Sequence, residues 1–304
     1  MAPLDVARLT FLAAIWGCSF IFLRIIVPEV GPLMTALLRM SLASIALLGF
    51  AFLIRTNMAW RQNFKAYAAV GLFATVVPFT CFSFASLYLP AAYSALLNAT
   101  APLFGALFSV LWLAEKVSLR KLAGLAMGVL GVGVLVGAGA LALNASVLLA
   151  AAACLAAAAS YAVSSIIVKI TGHAKHGATG HIDPIAMATG SMVAGALIML
   201  PALPFILPQS LPSMPAIGSI LGLSLLSSGV AQAMFIPLIV RIGPTRAMSV
   251  AFMIPPFGML WGFVFLNEAV TLSTLIGGLI VLVAMALVLS SKHTEPEDTL
   301  TAEA

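Results

Sequence analysis

Charge is scarce in this chain. Only 14 Lys and Arg and 9 Asp and Glu occur in 304 residues, or 8% charged, against roughly 25% in soluble domains. A water-soluble globule needs more polar surface than that, so a soluble enzyme is excluded, as are a disordered chain and a collagen-like fibre. Cysteine is equally sparse. Cys18, Cys81 and Cys154 each lie in an apolar run with no CxxC or Cys/His spacing, which argues against a metal or redox centre and for small buried hydrophobes. Basic residues never gather on one segment, so the sequence pI of about 9.4 does not point to nucleic acid; they recur singly or in small groups between apolar runs, the pattern that anchors membrane topology. No Asp, Glu, Lys or His lies clearly at mid-depth of those runs. A proton-coupled carrier usually needs a titratable group there, and a buried cation suits a dianion, so the substrate is expected to be neutral or zwitterionic.

Apolar length is what the chain has in abundance. Hydrophobic residues make up 62% of it and the mean hydropathy is +1.17. A spanning helix takes about 20 apolar residues. Ten spans are predicted, at 7–27, 33–54, 66–87, 92–113, 118–138, 147–169, 184–206, 216–240, 245–266 and 271–290. The runs are too continuous for the alternating strands of a membrane β-barrel. Turn chemistry separates them: Pro28 and Gly31-Pro32, Pro90, the segment around Asn144, His173–Pro184, Pro201–Pro215, Gly243-Pro244 and Asn267. With the N-terminus in the cytoplasm, 12 of the 14 basic residues fall on the cytoplasmic side, which predicts cytoplasmic N- and C-termini. Arg24 falls at an outer helix end. Arg39 lies about two turns inside the second span, where snorkelling to the outer surface or a bond to a helix carbonyl end is expected, with contact to a substrate carboxylate as the alternative.

The halves repeat. Residues 94–137 align without gaps on 247–290, at an offset of 153, with ten of 44 positions identical. Pro102 meets Pro255, Phe104-Gly105 meets Phe257-Gly258, and Glu115 meets Glu268. A weaker match sets Trp16 on Tyr161, Ser19 on Ser164 and Arg24 on Lys169. Five spans per repeat is odd, so the second copy enters the membrane from the opposite side. Inverted-topology repeats mark many secondary transporters, whose substrate site lies between the halves. The expected fold class is an all-α polytopic membrane protein of ten transmembrane helices in two inverted five-helix repeats, at 1–140 and 141–291, followed by a disordered acidic cytoplasmic tail at 292–304.

These features together resemble the drug/metabolite transporter superfamily in its ten-span form with two EamA-type repeats. The likeness is carried by Trp16-Gly17-x-Ser19-Phe20, by Pro102 with Leu-Ala-Glu115, by Pro255 with Leu-Asn-Glu268, and by the glycines 124, 128, 131, 133 and 137 of span 5. It is closest to the YddG-type exporters. That resemblance implies export of aromatic and other neutral amino acids such as threonine and methionine, related metabolites and paraquat-like compounds by alternating access, from a multi-pass protein of the bacterial inner membrane that works as a monomer among lipids. It also implies a cavity lined by spans 1, 3, 4, 6, 8 and 9, with spans 5 and 10 bracing the outside.

The candidate substrate-binding residues follow. Trp16 and Tyr161 sit near the centres of their spans, with N–H and O–H groups that need partners away from lipid. Ser19, Phe20, Ser164 and Ser165 share their faces. A tight helix contact, with the serines bonded to their own backbone, explains the same residues. Asn98 and Gln232 are the side-chain amides near mid-depth, and each should face protein or water; Phe235 shares the face of Gln232. A structural interhelical bond is the alternative. Pro78, Pro102 and Pro255 each remove a backbone N–H from a helix interior, giving a hinge or a static kink, and Phe79, Phe82 and Ser83 make an aromatic wall beside Pro78. No cofactor, metal or catalytic group is expected; His173, His176, His181 and Asp183 read as a solvated linker. An intramembrane enzyme would need clustered Asp or His at one depth, and a channel a continuous polar stripe.

Overall fold

The computed structural model describes residues 2–113, 118–137, 144–173, 182–242 and 250–290. Among them are ten helical stretches and no strand. They are α1 (Pro3–Val30), α2 (Pro32–Leu53), α3 (Trp60–Ala85), α4 (Ala91–Asn98 and Ala101–Leu113), α5 (Leu119–Gly137), α6 (Ala145–His173), α7 (Pro184–Met199, extended by a 3-10 turn over Leu200–Phe205), α8 (Met214–Leu221, Gly222–Val230 and Ala231–Ile242), α9 (Val250–Leu266) and α10 (Leu272–Ser290). Seven are long and apolar enough to cross a membrane, and Val250–Leu266 and Leu272–Val288 are shorter apolar helices. Phe52, Leu119 and Phe205 are more than four-fifths exposed, as side chains are when lipid is their solvent. The predicted acidic tail, Glu115 and the His176–His181 stretch lie outside the described residues.

Local chemistry sets the helix ends. Pro3 occupies the first turn of α1, where its missing N–H costs nothing. The α1–α2 turn passes through Gly31 at φ +79°, a conformation open to glycine, and Pro32 starts α2. Asp183 caps α7 by accepting from the N–H groups of Ile185 and Ala186 at 2.8 and 3.1 Å. Ser213 caps α8 in the same way. Two helices change pitch midway: Leu72–Val76 of α3 and Gly222–Val230 of α8 are π-helical. Pro78 follows the first of these and cannot donate to the carbonyl of Ala74. Shifted by the repeat offset of 153, Leu72–Val76 falls inside the π segment of α8.

Lipid tails are as apolar as leucine, so helices in a bilayer associate through close packing of small residues. The most extensive contact joins α5 to α10. A Cβ on Gly277 would lie 2.9 Å from the backbone N and Cα of Leu135, and one on Gly131 would lie 2.9 Å from Val281. Between the halves the pairing is reciprocal: α1 packs on α9 as α6 packs on α4, α1 on α8 as α6 on α3, and α2 on α8 as α7 on α3, while α2 also meets α7.

Gly277→Ala is expected to lower the thermal midpoint of the purified protein by several degrees, because overpacking costs about 1–3 kcal/mol. Gly133→Ala, where nothing lies within 4 Å, should leave it unchanged or raise it. Differential scanning fluorimetry in detergent checks both.

Candidate functional site: a polar cavity between the two halves

Ten helices running alternately place their connections on two faces. On one, Asp5 at the start of α1 meets Arg241 near the end of α8 at 3.3 Å. On the other, Arg24 near the end of α1 meets Glu268 just past α9 at 3.2 Å. These are called the Asp5 face and the Glu268 face.

The Glu268 half is solid. Ile26, Val27 and Val30 of α1, Leu96 of α4, Leu135 of α5, Val147 and Ala150 of α6 and Ile220 of α8 form one buried core. A polar clasp covers it. Arg24 also donates to the Ser86 carbonyl at 2.8 Å, and Glu268 accepts from the N–H of Ala91 at 2.8 Å. The α3–α4 turn is thereby tied to α1 and α9. Gly258 lets α9 touch α4: a Cβ there would stand 2.6 Å from that of Ala95.

The Asp5 half holds a cavity of about 910 Å³. Its deep end lies among Leu23, Phe82, Asn98 and Tyr161, and its lining reaches Lys121, Ala188, Ala251 and Val288, near the Asp5-face ends of α5, α7, α9 and α10. Trp16, Ser19, Phe20, Phe79, Phe82, Asn98, Pro102, Tyr161, Ser165 and Gln232 all line it. Ser83, Ser164, Phe235, Pro78 and Pro255 do not. Ser83 is buried, and its hydroxyl has no partner among the described residues. Phe235 packs on Trp16 edge to face at 5.0 Å. Pro78 follows the π turn, and Pro255 sits buried inside a continuous α9.

Each polar candidate has its own environment. Trp16 donates its indole N–H to the Ser227 carbonyl at 3.0 Å, and the Ser227 hydroxyl donates back to Ile15 at 3.2 Å. Trp16 is thus a contact between α1 and α8 as well as a wall of the cavity. Ser164 and Ser165 both donate to the Tyr161 carbonyl at 2.9 Å, the backbone-bonded arrangement. Asn98 and Gln232 behave differently. Neither amide has a hydrogen-bond partner among the described residues, so both present donors and acceptors to the cavity rather than to another helix. Asn98 also ends the first segment of α4, where the helix breaks over Ala99 and Thr100 and Pro102 cannot donate back to the Asn98 carbonyl. Phe20 and Phe82 meet at 5.6 Å, and Phe82 stacks on Tyr161 at 6.4 Å, making an aromatic wall from three helices.

Arg39 corrects an expectation. It does not snorkel outward. Its Nε donates to the Ser228 hydroxyl at 2.9 Å and its guanidinium carbon lies 3.7 Å above the Phe79 ring. The Ser228 hydroxyl in turn donates to Leu223 within the π segment. A hydrogen-bond acceptor, an aromatic face and a polar cavity hold the cation more closely than the surface two turns away. The lining is also wider than expected: α2 and α7 contribute Arg39, Ser191 and Met192, and Lys121 and Val288 bring α5 and α10 to the mouth. A single Arg in an apolar run was the one available signal for the part played by α2. All three cysteines are free thiols, and no group of His, Cys, Asp or Glu among the described residues could hold a metal.

Comparison with known proteins decides the family. The EamA-like transporter family matches residues 7–137 and, a second time, 146–290. The chain belongs to the EamA-like transporter family. It is a multi-pass membrane protein of the drug/metabolite transporter superfamily, as its motifs indicated. Its relatives in the family include an uncharacterized transporter, YoaV, of Bacillus subtilis, 23% identical over 88% of this chain and 90% of the relative. Another is a probable terminal-alkyne amino-acid exporter of Streptantibioticus cattleyicolor, 23% identical over 90% and 89%. A crystal structure at 19% identity superposes with a TM-score of 0.64 over 92% of this chain and 94% of the other, which shows the fold.

With Cys18, Cys81 and Cys154 replaced by alanine, Asn98→Cys is expected to react with a water-soluble maleimide at least tenfold faster than Leu97→Cys. Asn98 lines the cavity, whereas Leu97 is 0% exposed. Mass spectrometry of the labelled protein gives the ratio.

Proposed function

We propose that this protein exports neutral amino acids and related carboxylated metabolites from the bacterial cytoplasm by alternating access, as a monomer in the inner membrane. The observation that carries the reading is the asymmetry of the interior: an amphipathic cavity reaches one face, and a packed core under an ionic clasp closes the other. That is the form of a carrier caught open to one side. The proposed orientation puts the Asp5 face in the cytoplasm. Arg8, Arg55, Arg61, Lys65, Arg120, Lys121 and Arg241 all lie near that face, as the positive-inside bias requires.

The proposed working parts are two inverted five-helix repeats, 1–140 and 141–291. Three features support them: the double family match, the reciprocal helix pairing, and the π segments in α3 and α8 at the repeat offset. Two such halves can exchange conformations, so that the clasp opens as the Asp5 side closes. The amino-acid assignment rests on the free amides of Asn98 and Gln232, the aromatic wall, and a relative named as an amino-acid exporter. A paraquat-like dication is set aside, because the described lining carries Arg39 and no acidic side chain.

Liposomes containing the protein should release preloaded threonine, methionine or phenylalanine faster than empty liposomes; equal rates for all three would end the amino-acid reading. Glu268→Gln is expected to weaken the clasp, since hydrogen bonds to charged groups contribute roughly 1.5–3 kcal/mol. Labelling of Asn98→Cys from the outer side by an impermeant reagent should then rise several-fold. Unchanged labelling would remove the clasp from the gating scheme.

A further inference from the structure

We infer that the Arg39 guanidinium is the subsite for the substrate's carboxylate, so that the cavity selects metabolites bearing one carboxylate and no net positive charge. This rests on the export reading above and names the group by which the substrate is recognised.

A guanidinium inside a membrane is costly, and such groups are normally paired with an acid or with carbonyls. Among the described residues Arg39 is paired with neither. Among the described residues its partners are the Ser228 hydroxyl, which takes Nε, and the Phe79 ring, which covers one face. Its four terminal N–H groups have no protein acceptor there, and the residue lines the cavity. The described ion pairs, Asp5 with Arg8 and Arg241 and Glu268 with Arg24, use their acids elsewhere. What remains is a planar end-on pair of donors, held in place from the side and from one face. Two carboxylate oxygens match that fork. One guanidinium balances the single negative charge of one carboxylate.

The surroundings define the rest of the ligand. Gln232 lies one turn beyond Ser228 on α8 and also faces the cavity, so its amide carbonyl can accept from a substrate amine. Phe20, Phe82 and Tyr161 offer apolar faces to a side chain. An ammonium alone finds no counter-charge among the described lining residues. The carboxylate is therefore the group the site requires, and the amine is accessory.

The test is equilibrium binding to the purified full-length protein by isothermal titration calorimetry. The ligands are phenylalanine, methionine and threonine, the corresponding amino-acid amides, 3-phenylpropionate and phenyl phosphate. The amides should bind about ten- to a hundredfold more weakly than the acids, the worth of one or two charge-assisted hydrogen bonds. 3-Phenylpropionate should bind within about tenfold of phenylalanine, because it keeps the carboxylate and loses the accessory amine. Arg39→Gln should remove the preference for acid over amide, and Arg39→Lys should keep part of it. An amide binding as tightly as its acid to the unaltered protein overturns the inference while leaving amino-acid export standing. Tighter binding of phenyl phosphate than of 3-phenylpropionate overturns it in favour of a phosphate site. If no member of the panel binds, the export reading fails and this inference with it. The comparison of acid with amide needs no variant, so a poorly folding Arg39→Gln does not obscure the answer.

Discussion

Hydrocarbon offers no hydrogen bonds. Any polar group inside the membrane must find a partner in the protein or face an aqueous space within it. The interior of this protein is sorted accordingly. Where the two halves meet on the Glu268 side, the contact is apolar and tight, and its charged groups pair with one another in the Arg24–Glu268 clasp. Where they part on the Asp5 side, the amides of Asn98 and Gln232 and the outer edge of Arg39, which have no hydrogen-bond partner among the described residues, face one cavity.

Small residues make both conditions possible. Gly258 lets α9 touch α4 beneath the clasp. Gly277 and Gly131 bring α5 and α10 together on the far side of the bundle. The π turns in α3 and α8 do the complementary work, since a local change of pitch re-aims the side chains beyond it. In α8 that turn carries Ser227 and Ser228, one holding Trp16 and the other Arg39. A single irregular segment thus anchors α1 and α2 to the second half.

Much of the architecture was legible in the residues. Every predicted span corresponds to a helix, because about 20 apolar residues between turn signals admit few other structures in a bilayer. The candidate site was legible to the extent that a polar side chain at mid-depth is exceptional. Asn98, Gln232, Trp16 and Tyr161 stood out for that reason, and the fold brings them to one cavity. Rotation about a helix axis was not legible. Uniformly apolar helices have no dominant face, so sequence could not tell that Ser165 lines the cavity while Ser164 and Ser83 do not. Depth alone suggested a route to the surface for Arg39, and only the neighbouring α3 and α8 supplied the Phe79 ring and the Ser228 hydroxyl that hold it inside.

Composition, turn residues and the repeat determined that this is an all-helical, multi-pass membrane protein with two related halves, because hydrocarbon thickness and backbone hydrogen bonding leave a chain this apolar little choice. Tertiary packing decided which face is closed, which polar groups stay unpartnered, and that an arginine confronts a cavity with no acid among its described lining residues. Those properties depend on how helices distant in sequence approach one another, and a run of apolar residues does not encode the direction in which each of its side chains points.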